Sequence, residues 1–335
     1  MSQNIQRKKK PIIYDQSIDL GNFSKIKGCV ITDCGSETGL HVNCVESFGL
    51  IISKVSNPRE YRYYINQYDT FFVNATIGSL RVIPELKNLK KKIIVILECG
   101  TQFLDQSYIK KEMHDLISQS DMILTQFDSP YIEIIKQIYD VPVYFFGVLS
   151  NIDYLEKVAN DSSKRERLIH VRSLETENPQ FNAQANYALC KTLKLRYPDL
   201  KFITSHADDF IVDKLGNVKV TGTIKYQPEY WELLASCKLC IDMSYRITWG
   251  RYFIEACALK SPYVGSYCGA SGLCEIDTLH PHDLGQASKF AFKLLEDNDI
   301  YKKNQIDNFE KIKILRPENQ LKRLVKIWKG EYSEN

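Results

Sequence analysis

Short apolar runs recur along this chain with helix-patterned stretches between them, and that alternation constrains the fold more than any other feature. Cys29–Thr32, Thr70–Val73, Ile93–Leu97, Met122–Thr125 and Val143–Phe146 read as strands, and Tyr108–Ser118 and Tyr131–Tyr139 as helices. Parallel strands cannot be joined by a tight turn, so strand–helix alternation builds parallel sheets. After Gly147 the pattern loosens, and Asn160-Asp-Ser-Ser-Lys-Arg-Glu-Arg is polar enough for a connector. The alternation then restarts. Strands are expected at Leu168–Val171, Lys201–Thr204, Leu239–Met243 and Tyr263–Ser266. Helices are expected at Asn182–Leu195, Pro228–Cys237, Arg251–Leu259 and Gly285–Leu295, with a turn at Leu215-Gly-Asn. Pro317 precedes an amphipathic tail from Glu318 to Lys329.

With 335 residues, two such units are expected. The fold class is α/β, with two Rossmann-like domains facing a cleft. The first spans residues 1–150, the second 165–310, and a C-terminal segment fills 311–335. The carboxyl ends of both sheets, where ligands bind, then point toward one cleft. Periplasmic binding proteins and some epimerases are built in the same way, so fold alone selects no activity.

Composition narrows the class. The charge balance, 44 basic against 41 acidic residues, is too even to indicate a nucleic-acid binder by itself. Ten cysteines sit largely in apolar runs and read as buried thiols. Cys237-x-x-Cys240 has metal-like spacing but lacks a second pair, so no metal site is expected. Met1 to Lys10 is basic with no apolar core, and no apolar run approaches the ~18 residues of a membrane span. Free thiols without a leader point to a cytoplasmic protein.

The most informative stretch runs from Leu239 to Ser266, as strand, Gly-containing loop, helix, Ser-Pro stop and strand. Arg251 and Glu255 are four residues apart and share a helical face near the helix N-terminus. Free amides and a guanidinium suit a diphosphate there, and a carboxylate one turn on suits ribose hydroxyls. Taken alone, the pair reads first as an exposed ion pair of a few tenths of a kcal/mol.

The surroundings of the pair resemble the nucleotide-sugar motif of family 4 and related GT-B glycosyltransferases. Gly250, Glu255, Ala256, Ala258, Pro262, Val264 and Gly265 match that motif. Val220-Thr-Gly-Thr-Ile-Lys-Tyr and Tyr230-Trp-Glu-Leu-Leu-Ala-Ser-Cys resemble the segment preceding it, and the likeness spans roughly Leu168 to Asp299. The resemblance implies a GT-B architecture with the donor in the C-terminal domain and the acceptor in the N-terminal one. It implies a UDP-sugar as substrate, Glu255 on the ribose, and Arg251 with Arg172 or Arg246 on the leaving diphosphate. Gly250, Ser173 and Gly269, the last in the loop Ser266-Tyr-Cys-Gly-Ala-Ser-Gly, complete the candidate donor set. No tightly bound cofactor is implied, and a divalent cation is compatible with the motif without being required by it. The tail helix, with Trp328, is expected to cross back onto the N-terminal domain. Two positions depart from the pattern. The family's first Glu falls on Ile247, and Glu177 and Asn178 stand where a Lys is expected.

The N-terminal half resembles the phage DNA β-glucosyltransferases. Ser36-Glu37-Thr38, Glu46-Ser-Phe-Gly-Leu-Ile-Ile-Ser, Tyr68-Asp-Thr-Phe-Phe-Val-Asn-Ala-Thr-Ile and Lys92-Ile-Ile-Val-Ile-Leu with Gln106-Ser-Tyr carry that likeness. It implies glucose transfer to a hydroxymethylated base of double-stranded DNA, flipped out for access. Arg7-Lys-Lys-Lys, the Arg59…Arg62 region and the Lys87–Lys92 run would then meet phosphates, although each is equally an ordinary solvated charge. Glu37 would inherit the role of an active-site Glu. The group's catalytic Asp falls on Cys99, which leaves Glu98, Asp105 and Asp33 as candidates for the base. A glycan, lipid or protein acceptor, or a catalytically inactive sugar-nucleotide binder, remains open. His280-Pro-His282 has a metal-like look but reads as a loop.

Overall fold

The computed structural model describes residues 27–31, 51–55, 58–97, 111–125, 131–145, 152–177, 181–224, 227–245 and 250–331. They form two parallel-sheet α/β domains. The first sheet contains β1 (Lys27–Ile31), β2 (Ile51–Val55), β3 (Thr70–Asn74), β4 (Lys92–Leu97), β5 (Met122–Thr125) and β6 (Val143–Phe145). Their order is β2-β1-β3-β4-β5-β6, with every pairing parallel. Around it lie α1 (Ile77–Leu80), α2 (Ile83–Asn88), α3 (Lys111–Ile117) and α4 (Tyr131–Ile138). All five residues of β3 are buried, as a strand covered on both faces requires.

Next come α5 (Ile152–Asp161) and a second sheet of β7 (Arg165–Val171), β8 (Lys201–Thr204), β9 (Val218–Val220), β10 (Cys237–Asp242) and β11 (Tyr263–Gly265). Its order is β11-β10-β7-β8-β9, again all parallel. The helices of this half are α6 (Ala183–Arg196), α7 (Asp209–Leu215), α8 (Gln227–Ser236), α9 (Arg251–Ala258), α10 (Gly269–Leu273), α11 (Leu284–Glu296), α12 (Asn298–Ile312) and α13 (Pro317–Lys329). The strand order reverses between β7 and β10, which opens a crevice at their carboxyl ends.

Several local expectations change. The polar connector is largely structured, because α5 runs to Asp161 and β7 begins at Arg165. Ile152 and Leu155, three apart, give α5 an apolar stripe that packs on Trp231 and Phe309 of the second domain. The loop around Gly269 is a helical turn, because the Ser271 hydroxyl both donates to the Cys268 carbonyl (2.7 Å) and accepts from the Cys268 amide (3.1 Å). Helix α12 had no strong apolar periodicity to announce it. Asp297 caps it through the amides of Asp299 and Ile300. In the tail helix, the Arg323 guanidinium stacks 4.6 Å from the Phe145 ring centroid, on the last strand of the first sheet. Arg316 binds Asp153 of α5 at 3.0 Å.

The seven described cysteines are all buried. Cys237 and Cys240 belong to separate apolar clusters, so they do not form a shared ligand pair. No helix among the described residues is long and apolar enough to cross a membrane.

Candidate donor site in the second domain

The crevice between β7 and β10 is built by side chains that staple the two strand ends. Buried Asn186 of α6 donates to the carbonyls of Ser173 (3.0 Å) and Phe181 (3.1 Å) and accepts from the Met243 amide (2.8 Å). Asn182, in a left-handed conformation at the N-cap of α6, donates to the Met243 and Pro281 carbonyls at 2.9 and 3.2 Å. Buried Ser173 is therefore held through its backbone. Its hydroxyl accepts from the Glu175 amide at 3.2 Å.

Arg172 directly follows β7. Its amide bonds the Ile241 carbonyl at 2.9 Å, which locks the chain beside β10. The guanidinium sits between two aromatic faces, 5.4 Å from the Phe181 centroid and 5.3 Å from that of Tyr252. Among the described residues it makes no hydrogen bond or ion pair, so its five donors are open to a ligand. Burial works against its charge, but the nearby acidic groups, Asp242 and Glu255 among them, keep it charged, above its ordinary value. Beneath it His170 is fully buried, sharing a 2.7 Å hydrogen bond with the Tyr252 hydroxyl. Burial, then the Arg172 charge, pushes His170 down to about 3, so the imidazole is neutral. The Asp242 carboxyl, at the end of β10, is raised by burial, against the pull of Arg172 and of hydrogen bonds from Ser244.

Arg251 and Glu255 do share one face of α9, but the surface pair allowed by the sequence is corrected to a largely buried one. The Glu255 side chain is 5% exposed and that of Arg251 30%. Arg251 Nε and Trp231 Nε1 both donate to Glu255 Oε1 at 2.8 Å. Arg251 is also the first residue of α9, where the helix dipole disfavours a cation unless an anion lies nearby. Gly250, the N-cap, has φ +91°, and a Cβ there would come within 2.5 Å of Cys268 Sγ. Only glycine lets the start of α9 approach the start of α10 this closely, and Gly269 is the first residue of α10.

Arg172, Ser173, Gly250, Arg251, Glu255 and Gly269 thus lie at the carboxyl side of the second sheet or at the helices that follow it. Arg246, Ile247 and Asn178 lie outside the described residues, as do Glu37, Glu98, Asp105 and Asp33 of the first domain. Asn186, Asp242, His170, Tyr252, Trp231 and Tyr230 were not singled out as site residues from the sequence, although four of them lie in the stretches that carry the resemblance. An Asn182-x-x-x-Asn186 pair on one helix and an Arg172–Asp242 pair at strand ends were the available signals. His280 and His282 are neighbours, with ring centroids 5.4 Å apart, and the His282 ring lies tilted at 49° to that of Tyr245, 4.8 Å between centroids. No group of three potential metal ligands occurs among the described residues.

No family model and no curated protein matches the sequence. Solved structures do. The chain is similar to Anabaena Alr3699/HepE in complex with UDP, with TM-score 0.69 and 12% identity over 91% of this chain and 100% of that one. It is similar to an E. coli trehalose-6-phosphate protein bound with UDP-2-fluoro glucose, with TM-score 0.64 and 8% identity over 91% of this chain and 99% of that one. A third similar structure is the α,α-trehalose 6-phosphate synthase from Burkholderia multivorans, with TM-score 0.63 and 11% identity over 82% of this chain and 74% of that one. With two parallel-sheet domains and these neighbours, the chain has the GT-B glycosyltransferase fold.

Proposed function

We propose that this protein is a glycosyltransferase that binds a UDP-sugar in its second domain and an acceptor hydroxyl in its first. The observation that carries the reading is Arg172: a guanidinium at the switch point, held by two aromatic faces and lacking any acceptor among the described residues. Such a group is preorganised for the charge that develops on a leaving diphosphate. UDP in the HepE complex and UDP-2-fluoro glucose in the E. coli structure support the choice of donor. Glu255, fixed by Trp231 and Arg251, would take the ribose hydroxyls. Arg251 and Arg246 would add charge, and Ser173, Gly250 and Gly269 would line the phosphate side. Glu98, Glu37 or Asp105 would serve as the base. The tail helix would tie the second domain to the first through Arg323 and Phe145.

The sequence likeness of the first domain leads us to glucose and a hydroxymethylated DNA base as sugar and acceptor. A second acceptor class, a glycan, lipid or protein, is favoured by one observation. Arg62, Lys87 and Lys91 are already paired with Glu85, Asp121 and Asp69, which leaves them less suited to bare phosphates. Incubation with UDP-glucose and either hydroxymethylated or plain duplex DNA separates the two. UDP release that depends on the modified DNA supports the first acceptor, whereas equal release with and without it removes DNA. Absence of any UDP binding by calorimetry removes the donor assignment itself.

A further inference from the structure

One buried hydroxyl beside Arg172 is used by none of the contacts above. Tyr230 lies in α8 next to Trp231, and its ring meets the His170 ring edge-on with centroids 5.9 Å apart. Its hydroxyl oxygen is buried and has no hydrogen-bond partner, although buried polar groups are nearly always paired. Burial pushes its ionisation up, and of the charges around it Arg172 acts most strongly, followed by Glu255. The hydroxyl therefore stays protonated and available as a donor. Arg172 also lacks an acceptor among the described residues. Two unmatched donors that feel each other's field, one of them cationic, suit an anion with more than one oxygen. A cation would leave both unpaired, and a neutral acceptor would leave the guanidinium charge unbalanced.

We infer that the Tyr230 hydroxyl is a phosphate-binding group that, with Arg172, grips the diphosphate of the nucleotide. The inference rests on the donor assignment made above and adds a residue to it. On its own the hydroxyl is an unpaired buried polar group that costs stability, and ligand binding would satisfy it. Function and stability then pull this residue in opposite directions, which a purely structural tyrosine would not show.

Tyr230→Phe removes the hydroxyl and keeps the ring. Calorimetry with UDP and with uridine, together with thermal melting of the unliganded protein, tests the inference. The variant should lose about tenfold in UDP affinity, keep its uridine affinity, and melt at or above the wild-type temperature. An unchanged UDP affinity overturns the inference, as does an equal loss for UDP and uridine. A lowered melting temperature would mean that the hydroxyl is already paired in the free protein, which also overturns it. If the wild-type chain binds neither UDP nor inorganic diphosphate, the donor assignment falls and this inference with it. If the wild type binds and Tyr230→Phe binds equally well, only this inference falls.

Discussion

The two sheets place their charges in opposite ways. In the first domain Arg62–Glu85, Arg81–Glu112 and Lys87–Asp121 are ion pairs with at least 38% of every partner's side chain exposed. Among the described residues, the buried polar side chains of this domain, Thr70, Asn74, Ser79, Ser120 and Thr125, are all uncharged. In the second domain His170, Ser173, Asn186 and Glu255 are buried, and Arg172 and Asp242 are half-buried beside them at the strand ends. Exposed pairs contribute little, while buried polar groups cost stability unless they are fully matched. A domain that keeps so many of them at its switch point, with one guanidinium lacking an acceptor among the described residues, gives up stability there, in keeping with the donor site proposed above.

The contrast breaks most sharply at Arg172. Arg172→Met keeps the stem between Phe181 and Tyr252 and removes the charge. UDP affinity should fall by about 100-fold, the loss of ~3 kcal/mol expected when charged hydrogen bonds disappear, while uridine affinity changes little. Calorimetry with both ligands checks it, and equal losses would return Arg172 to a structural role. Glu255→Ala comes next, weakening UDP binding by ~1–3 kcal/mol through a lost charged hydrogen bond. Uridine should weaken in step, because the proposed contact is to ribose. A loss confined to UDP would move Glu255 to the phosphates.

The fold was legible in the sequence because buried parallel strands are continuous apolar runs. Met122–Thr125 and Lys201–Thr204 match their expected bounds, and most others agree within a few residues. What failed was whatever depended on capping or on distant packing. Helix α12 starts at a lone Asp297 cap, and α5 hides an apolar stripe inside a polar segment. The Arg251–Glu255 spacing was readable, but its burial was not. Trp231, twenty-four positions away, buries that carboxylate and gives it a second donor. The unpaired Arg172 and Tyr230 could not be seen at all, since the absence of a partner is a property of three dimensions.

A pH titration compares the domains in a different way. His170 is held at about 3 by burial and by Arg172, against an ordinary value near 6.5. Between those values the unfolded chain takes up a proton that the folded one refuses. Stability is therefore complete above about 6.5 and is lost as pH falls toward 3, by up to ~1.4 kcal/mol per pH unit. The raised Asp242 carboxyl contributes with the opposite sign, so the difference between proteins is the useful quantity. His170→Asn keeps a hydrogen-bonding partner for Tyr252 and removes the titration. Urea melts from pH 7 to 4 should show a shallower acid loss in the variant. Parallel slopes would mean that His170 already accepts a proton in the folded chain.

The smallest effect lies in the first domain, where one carboxylate separates surface from core. Asp121 Oδ1 meets Lys87 Nζ at 3.3 Å, while Oδ2 accepts the Ile93 amide at 2.7 Å, at the start of β4. Lys87 is half exposed and Ile93 is fully buried. Lys87→Ala should therefore change stability by less than about 1 kcal/mol, with any change vanishing in high salt. Asp121→Ala should cost more, about 1–3 kcal/mol, because it unpairs a backbone amide at the strand start. Chemical denaturation of both variants at low and high salt gives the comparison. If the lysine matters as much as the aspartate, the surface pairs of the first domain are not the weak solvated contacts described above. Their removal would then have to be tested against acceptor binding before stability is invoked.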